Sequence, residues 1–192
     1  MEDKRIKIIE KGLTLMHLKG YNGTGLREIV EAAGIPKGSF YYYFKSKEHF
    51  TIEVMKFYYE KKYEEAKRIL SGKNVSLFRR IEDLFSYWIE EDFSRVNFEK
   101  GCLLGNLAIE MGDVNRDIGN VVDRDFKAFE RLLAKCLTEA KEANELNPSS
   151  DVEKLAEFIW NSWEGALLRM KASKSRRPLK NFQDILHKII LN

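Results

Sequence analysis

One stretch near the N-terminus, residues 24–47, constrains the fold more than any other part of the chain. Thr24 is typical of a helix N-cap, because its hydroxyl can accept a hydrogen bond from the exposed amides of a first helical turn. Gly34 is expected to end that helix, since glycine takes the positive φ of a C-terminal cap without strain. Pro36 lies near the first position of a second helix, where its missing N–H is not needed. The stretch therefore predicts two short helices joined by a tight turn.

The outer face of the second helix has the composition of a DNA-contacting surface. Phe40 and Phe44 lie four residues apart and face the first helix, while residues 32–47 contain three lysines and no acidic residue. A basic face rich in hydroxyl groups is typical of a helix-turn-helix that enters the major groove. The predicted DNA contacts are Thr24, Arg27, Lys37, Gly38, Ser39, Tyr41, Tyr42 and Lys47.

Each predicted contact has its own chemistry. Lys37 can reach a base edge or a phosphate, and Gly38 lets the backbone approach the groove closely. The rings of Tyr41 and Tyr42 can contact thymine methyl groups, while their hydroxyls can donate to phosphates. Core packing is the alternative for these tyrosines, and it applies most to Tyr43.

Residues 5–50 resemble the DNA-binding part of a known family, the TetR-type (TetR/AcrR) bacterial transcriptional regulators. The runs that carry the resemblance are Lys19-Gly20-Tyr21, residues 24–34, Lys37-Gly38-Ser39-Phe40-Tyr41-Tyr42-Tyr43-Phe44 and Ser46-Lys47-Glu48. A weaker likeness, to a ligand-domain motif in one branch of the family, lies in Gly101-Cys102-Leu103-Leu104-Gly105-Asn106. The chain departs from the pattern at Gly25, where many relatives carry Ser or Thr, and this departure weakens one phosphate contact.

The resemblance implies an all-helical homodimer with a DNA-binding domain at residues 1–47 and an effector-binding and dimerisation domain at residues 48–192. It also implies a ligand-responsive regulator, most often a repressor, that binds a palindromic operator and is released by a small effector. A DNA-binding protein without a ligand is one alternative, and a helical scaffold for protein contacts is another. No cofactor or metal is expected, and an enzyme is disfavoured because His17, His49 and His187 show no metal-ligand spacing.

Hydrophobic periodicity predicts helices throughout the chain. Outside the helix-turn-helix, the predicted helices cover residues 3–19, 48–70, 75–96, 101–111, 114–145, 151–173 and 179–191. Ser46 is expected to cap the fourth helix of the chain, and Ser149, Ser150 or Asp151 the helix at 151. No strand is needed, so the predicted fold class is all-α: a three-helix N-terminal domain joined by a long helix to a helical bundle.

The helical bundle is predicted to hold both a dimer interface and an effector pocket. The last two helices carry small residues at Ser162, Gly165 and Ala166, which let helices from two subunits approach closely. A largely apolar pocket for a hydrophobic or planar effector has the candidate lining residues Phe85, Trp88, Cys102, Asn106, Glu110, Phe126, Phe129, Trp160 and Trp163. Polar handles for the effector would come from Glu110, Asn106 and Trp163, and plain core packing is the alternative for each aromatic residue.

A separate hypothesis is that Cys102 acts as a thiol sensor. It lies at or near the start of a helix, where the helix dipole favours a thiolate. The family branch with this Gly-Cys motif includes regulators that sense electrophiles or oxidants through cysteine. Lys171 is a candidate for stabilising the thiolate. The alternative is a small buried apolar cysteine, which is also the interpretation of Cys136.

The distribution of charge supports a DNA-facing N-terminal part. The net charge is +3 over 192 residues, and residues 1–50 carry nine Lys/Arg against six Asp/Glu, so the rest of the chain sums to zero. A phosphate-facing surface requires such a local excess. The chain lacks an apolar run of about 18 residues, and its two cysteines form no disulfide framework. We therefore expect no membrane contact and a reducing, cytoplasmic setting.

Overall fold

The computed structural model describes residues 2–72, 75–93, 98 and 100–191, and every regular element in this part of the chain is helical. The α-helices are α1 (Glu2–Lys19), α2 (Leu26–Ala33), α3 (Lys37–Tyr43), α4 (Lys47–Leu70), α5 (Leu77–Trp88), α6 (Leu103–Met111), α7 (Arg116–Glu142), α8 (Val152–Ser173) and α9 (Arg177–Leu191). The predicted all-α class is confirmed.

Helix boundaries follow local side-chain chemistry at several predicted positions. Ser46 Oγ accepts from the His49 amide at 3.1 Å, as a cap of α4 should. Asp151 accepts from the Lys154 amide at 3.1 Å and caps α8. The predicted helix over 75–96 is α-helical only to the end of α5 and continues as a short π-helical segment, Ile89–Phe93. Its predicted continuation over residues 94–96 lies outside the described residues.

By packing, the chain forms two compact units. The first comprises Met1–Lys61 with Cys102–Arg124, and the second comprises Lys62–Gly101 with Asp125–Asn192. Helices α4 and α7 therefore each contribute to both units. The predicted functional division between residues 47 and 48 stays a prediction, because packing alone does not say which residues bind DNA or an effector.

The core of the first unit is built around three fully buried phenylalanines. The rings of Phe40 and Phe44, from α3 and the residue that follows it, have centroids 5.2 Å apart. Phe50 of α4 packs against both, with centroid distances of 5.2 Å to Phe40 and 4.8 Å to Phe44. This packing fixes α3 on α4, so that the opposite face of α3 is turned outward.

Gly12 of α1 lies directly against this core. A Cβ added at Gly12 would overlap the ring of Phe50. We expect Gly12→Ala to be destabilising, because overpacking costs about 1–3 kcal/mol and outweighs a helix-propensity gain of about 1 kcal/mol. Chemical denaturation of both proteins measures the difference. The double variant Gly12→Ala/Phe50→Leu is the control, since the smaller side chain should recover part of the Gly12→Ala loss; a loss that is simply additive would contradict the account.

Candidate DNA-binding surface and effector core

The turn between α2 and α3 has the backbone that the sequence predicts, but a different helix cap. Gly34 takes φ +68°, and the amides of Gly34 and Ile35 donate to the carbonyls of Glu31 and Val30. Two such crossed bonds are the pattern of a glycine-terminated helix. The N-cap of α2 is Gly25, whose extended backbone precedes the helix.

The prediction that Thr24 caps α2 is therefore wrong. Its side chain is fully buried, and its hydroxyl donates to the Gly20 carbonyl at 2.7 Å. The hydroxyl thus fastens the α1–α2 connection instead of reaching the first amides of α2. A fully buried side chain is also not available to DNA, so the Thr24 side chain is no longer a candidate DNA contact.

The outward face of α3 carries exposed basic and aromatic side chains. Tyr41 is 53% exposed and Tyr42 72% exposed, whereas Tyr43 is half-buried. Lys37 is exposed, and no described residue pairs with its ammonium. A Cβ added at Gly38 would meet nothing within 4 Å, so the start of α3 is open. The expectation that Tyr41 and Tyr42 lie outside the core is confirmed.

Arg27 is the second residue of α2 and lies on the exposed side of the helix. Its Nε donates to Glu31 Oε1 at 2.7 Å, and its side chain is almost completely exposed. An exposed pair four residues apart on a helix contributes little stability. Arg27 can therefore exchange the Glu31 carboxylate for a phosphate at small cost. Ser39 is half-buried in the first turn of α3.

Lys47 is engaged with Tyr21 inside the first unit. The Lys47 ammonium donates to the Tyr21 carbonyl at 2.7 Å and lies 4.0 Å from the centroid of the Tyr21 ring. Partial burial lowers the pKa of Lys47. Tyr21 also donates through its hydroxyl to Glu48 at 2.7 Å. This bond is the largest of several effects, with hydrogen bonds from Ser46 and from the backbone, that lower the pKa of the Glu48 carboxyl to about 2. Lys47 thus has a structural role, and its ammonium could bind a phosphate only while it also holds Tyr21 or after it releases Tyr21.

Glu110 of α6 contacts the loop between α1 and α2, as Lys47 and Glu48 do. The sequence does not reveal this long-range contact. Its carboxylate accepts from the amides of Tyr21, at 2.7 Å, and Asn22, at 2.6 Å. Gly20, with φ +74°, passes beside the carboxylate with no room for a side chain. The prediction of Glu110 as a polar handle for an effector is not supported, since both carboxylate oxygens accept from backbone amides of the loop between α1 and α2.

The six predicted aromatic pocket residues form one cluster in the second unit. Trp160 stacks on Phe129 with centroids 4.5 Å apart and an interplanar angle of 11°, and Phe126 packs edge-on against Trp160 at 5.7 Å. Trp163 joins the cluster through Phe85, at 4.9 Å. Trp88 lies among the others, with ring centroids 5.9 to 6.3 Å from those of Phe85, Phe129, Trp160 and Trp163. Sequence alone could not establish this arrangement, because it joins three helices distant along the chain.

Trp88 and Trp160 differ in the partners of their indole N–H groups. Trp88 Nε1 donates to Glu65 Oε2 at 3.2 Å. Trp160 Nε1 is buried, and within the described residues it has no hydrogen-bond partner. Because buried donors are nearly always paired, this indole is the polar group of the cluster most suited to meet an acceptor on a ligand. Asn106 and Cys102, which were also predicted to line the pocket, belong to the first unit.

Cys102 is the N-cap residue of α6. Its Sγ accepts from the Gly105 amide at 3.5 Å, and the side chain is buried. The predicted position at a helix start is confirmed. Lys171 lies on α8 in the second unit, so stabilisation of a thiolate by Lys171 stays a prediction. Cys136 is buried, and its thiol donates to the Leu77 carbonyl at 3.4 Å.

A long groove runs between α8 and α9, with a volume of about 770 Å³. Its apolar wall includes Phe158 and Ile185, both of which are half exposed. The predicted small residues Ser162, Gly165 and Ala166 line it as well, and a Cβ added at Gly165 would meet nothing within 4 Å. The groove is therefore wide enough at its middle for another helix to approach α8.

Two family models match the chain. The model of the bacterial regulatory proteins of the tetR family matches residues 8–54, which include the helix-turn-helix. The model of the tetracyclin repressor-like C-terminal domain matches residues 78–186, more than half of the chain. The chain belongs to the TetR family. As a TetR-family protein it is a DNA-binding transcriptional regulator, and this class also accounts for the exposed face of α3.

Similar TetR-family proteins are known in sequence and structure. The transcriptional regulator AcuR of Cereibacter sphaeroides is 37% identical over 178 residues, covering 91% of this chain and 80% of AcuR. The crystal structure of a regulatory protein TetR from Rhodobacter sphaeroides has a TM-score of 0.90 at 32% identity, covering 95% of this chain and 96% of that chain. The transcriptional repressor NemR of Escherichia coli, solved in its reduced form, has a TM-score of 0.88 at 29% identity, covering 96% and 95%.

Within the described part of this TetR-family chain, none of the helices combines the length and apolar character needed to span a membrane.

Proposed function

We propose that the protein is a ligand-responsive repressor that binds a palindromic operator as a dimer and releases it when a small effector binds. The observation that carries this proposal is the open, basic and aromatic outer face of α3, held in place by the buried phenylalanine core. Since an operator lies on chromosomal DNA, the proposed place of action is the cytoplasm.

In the proposed complex, α3 lies in the major groove with Lys37, Tyr41 and Tyr42 toward the bases. Lys37 donates to a base edge or a phosphate, and the tyrosine rings contact thymine methyl groups. Gly38 permits close approach of the backbone, and Arg27 and Ser39 bind phosphates. Lys47 is a secondary candidate, because its ammonium already donates to Tyr21. These contacts would fix the position of α3 along the DNA groove. The base sequence of the operator has to be determined by experiment.

The proposed dimer forms through α8 and α9 of each subunit. A four-helix interface would cover the half-exposed Phe158 and Ile185, and the small residues at the middle of the groove allow two copies of α8 to approach closely. An isologous interface of this kind relates the two copies of α3 by a two-fold axis. The operator should then contain two half-sites about 34–36 Å apart, or a related spacing.

The proposed effector site is the aromatic cluster of the second unit. A planar or hydrophobic molecule can stack on Trp160 and Phe129, and an acceptor such as a carbonyl oxygen on the same molecule can pair with Trp160 Nε1. Effector binding shifts the DNA-binding part only in so far as the effector prefers one arrangement of the helices. Helices α4 and α7 take part in both units, and they are the proposed carriers of that change.

Operator binding by two single variants tests the proposal. We expect Lys37→Ala and Tyr42→Ala each to weaken operator binding by about 1–3 kcal/mol without changing stability. The operator is obtained by selection from random DNA duplexes, and affinities are measured by gel shift at a fixed salt concentration. Lys61→Ala is the matched control, because Lys61 is an exposed helical lysine of α4 outside the proposed surface. Unchanged binding by both variants would reject the proposed contact surface.

A second candidate function, sensing of electrophiles or oxidants through Cys102, is favoured by the cap geometry. The Sγ atom already accepts from a helix N-terminal amide, an environment that stabilises a thiolate. The resemblance of residues 101–106 to the Gly-Cys motif of one family branch points the same way, and the related NemR structure is described as a reduced form.

Thiol modification separates this candidate from a purely structural cysteine. We expect N-ethylmaleimide to release the operator from the wild type and from Cys136→Ser, but not from Cys102→Ser. Cys136→Ser is the matched control, since burial raises the pKa of the Cys136 thiol to about 12 and makes it unreactive. Full release from Cys102→Ser would exclude Cys102 as the sensor.

A further inference from the structure

A basic groove in the second unit has no part in the proposed function. It lies between the last turns of α4, the first turn of α5 and the C-terminal half of α7, and its volume is about 610 Å³. Four cationic side chains line the basic groove: Lys67, Arg80, Arg131 and Lys135. Glu139 is the one carboxylate among the described residues that line it. The local charge is therefore strongly positive, although the chain beyond residue 50 is neutral.

Arg80 is the most buried of the four cations, with a side chain only 13% exposed. One guanidinium nitrogen, Nη1, lies 3.4 Å from both the Leu70 carbonyl and Glu139 Oε2, which is long for either bond. Its Nε is buried and has no hydrogen-bond partner within the described part of the chain. A buried guanidinium with an unused donor costs stability unless an acceptor meets it.

The other cations also lack strong partners. Arg131 and Lys135 are exposed, stand four residues apart on α7, and have no side-chain partner among the described residues. Like charges at this spacing repel each other. Lys67 is 3.7 Å from Glu64, at the outer limit of an ion pair. Cys136, which also lines the basic groove, supplies no negative charge, because burial raises the pKa of its thiol to about 12.

One wall of the basic groove is apolar. Tyr63, Leu70 and Leu132 form it, and the Tyr63 ring lies 5.9 Å from the ring of Phe129 in the aromatic cluster. Guanidinium and ammonium groups match the oxygens of a carboxylate, and the apolar wall matches a short hydrocarbon body. We propose that the basic groove binds a small organic anion, a carboxylate on an apolar body of a few carbons. This goes beyond the proposed function, since it adds a second ligand class at a second place.

Binding of hexanoate, with hexanamide as its uncharged analogue, tests the proposal on the full chain. At constant ionic strength we expect hexanoate, at up to about 10 mM, to raise the thermal unfolding midpoint, and hexanamide and inorganic phosphate to raise it much less. Arg131→Ala/Lys135→Ala should weaken the hexanoate affinity at least about tenfold. Both positions are exposed and helical, so alanine leaves the fold intact.

Lys61→Ala is the control for loss of a surface cation and should bind hexanoate like the wild type. Equal effects of hexanoate and hexanamide would overturn the proposal, as would tighter binding of inorganic phosphate. Hexanoate binding that survives in the double variant would overturn it too. None of these measurements involves DNA, so their outcome is independent of the proposed operator binding.

Discussion

Replacing Phe158 and Ile185 together by aspartate should convert the proposed dimer into monomers and weaken operator binding by about 10²–10⁴-fold. In the described subunit these two side chains are 53% and 50% exposed, so charging them costs the folded monomer little. In the proposed interface they are desolvated against the partner, where unpaired carboxylates are strongly unfavourable. Operator affinity falls because binding of the second half-site is then no longer intramolecular.

Sedimentation velocity and gel shift measure the two effects on the same samples. Val75→Asp is the matched control, because Val75 is also an exposed apolar residue of the second unit but does not line the α8–α9 groove. It should remain dimeric and bind the operator normally. A Phe158→Asp/Ile185→Asp protein that sediments as a dimer would place the interface elsewhere on the chain.

Glu110→Ala should lower the stability of the protein by about 3 kcal/mol, since two charge-assisted hydrogen bonds are lost at once. The carboxylate accepts from the backbone amides of Tyr21 and Asn22 and so joins α6 to the loop between α1 and α2. Removing the carboxylate leaves both amides unpaired. For a chain of this size the thermal midpoint should fall by about 6–12 °C. The stability of Glu110→Gln should lie between those of the wild type and Glu110→Ala. One of the two backbone amides would then face the side-chain NH₂ group, which cannot accept a hydrogen bond.

This prediction also distinguishes two roles for Glu110. A residue that only binds an effector would change effector affinity and leave the ligand-free protein as stable as before. Glu60→Gln serves as the control, since Glu60 is an exposed glutamate of α4 and its loss should shift the midpoint little. Equal midpoints for Glu110→Ala and the wild type, without any ligand, would contradict the structural role.

The fold was predictable from the sequence because its signals are local. Apolar residues at helical spacing, a glycine stop at Gly34 and caps at Ser46 and Asp151 each act within a few residues. The exposure of Tyr41 and Tyr42 followed from the same logic, since Phe40 and Phe44 use the other face of α3. Local signals also have limits, as Thr24 shows: its hydroxyl donates to the Gly20 carbonyl instead of accepting from the first amides of α2.

The candidate sites were less predictable because their contacts are long-range. Glu110 lies 89 residues after Tyr21, and no periodicity links a carboxylate on α6 to a loop after α1. The same holds for the basic groove, where Arg80 and Glu139 are 59 residues apart. In the aromatic cluster, residue type was informative, but which indole N–H remains unpaired depends on the packing of α5, α7 and α8.

Photo-crosslinking from α3 tests most directly the central claim that this helix lies against the bases of an operator. With p-benzoyl-phenylalanine in place of Tyr42, irradiation of the operator complex should join the protein to bases within each half-site. The same group in place of Phe158 should give crosslinked protein dimers and no DNA adduct. Operator that is bound by the position-42 protein but never crosslinked to it, while position 158 reacts with DNA, would contradict the account.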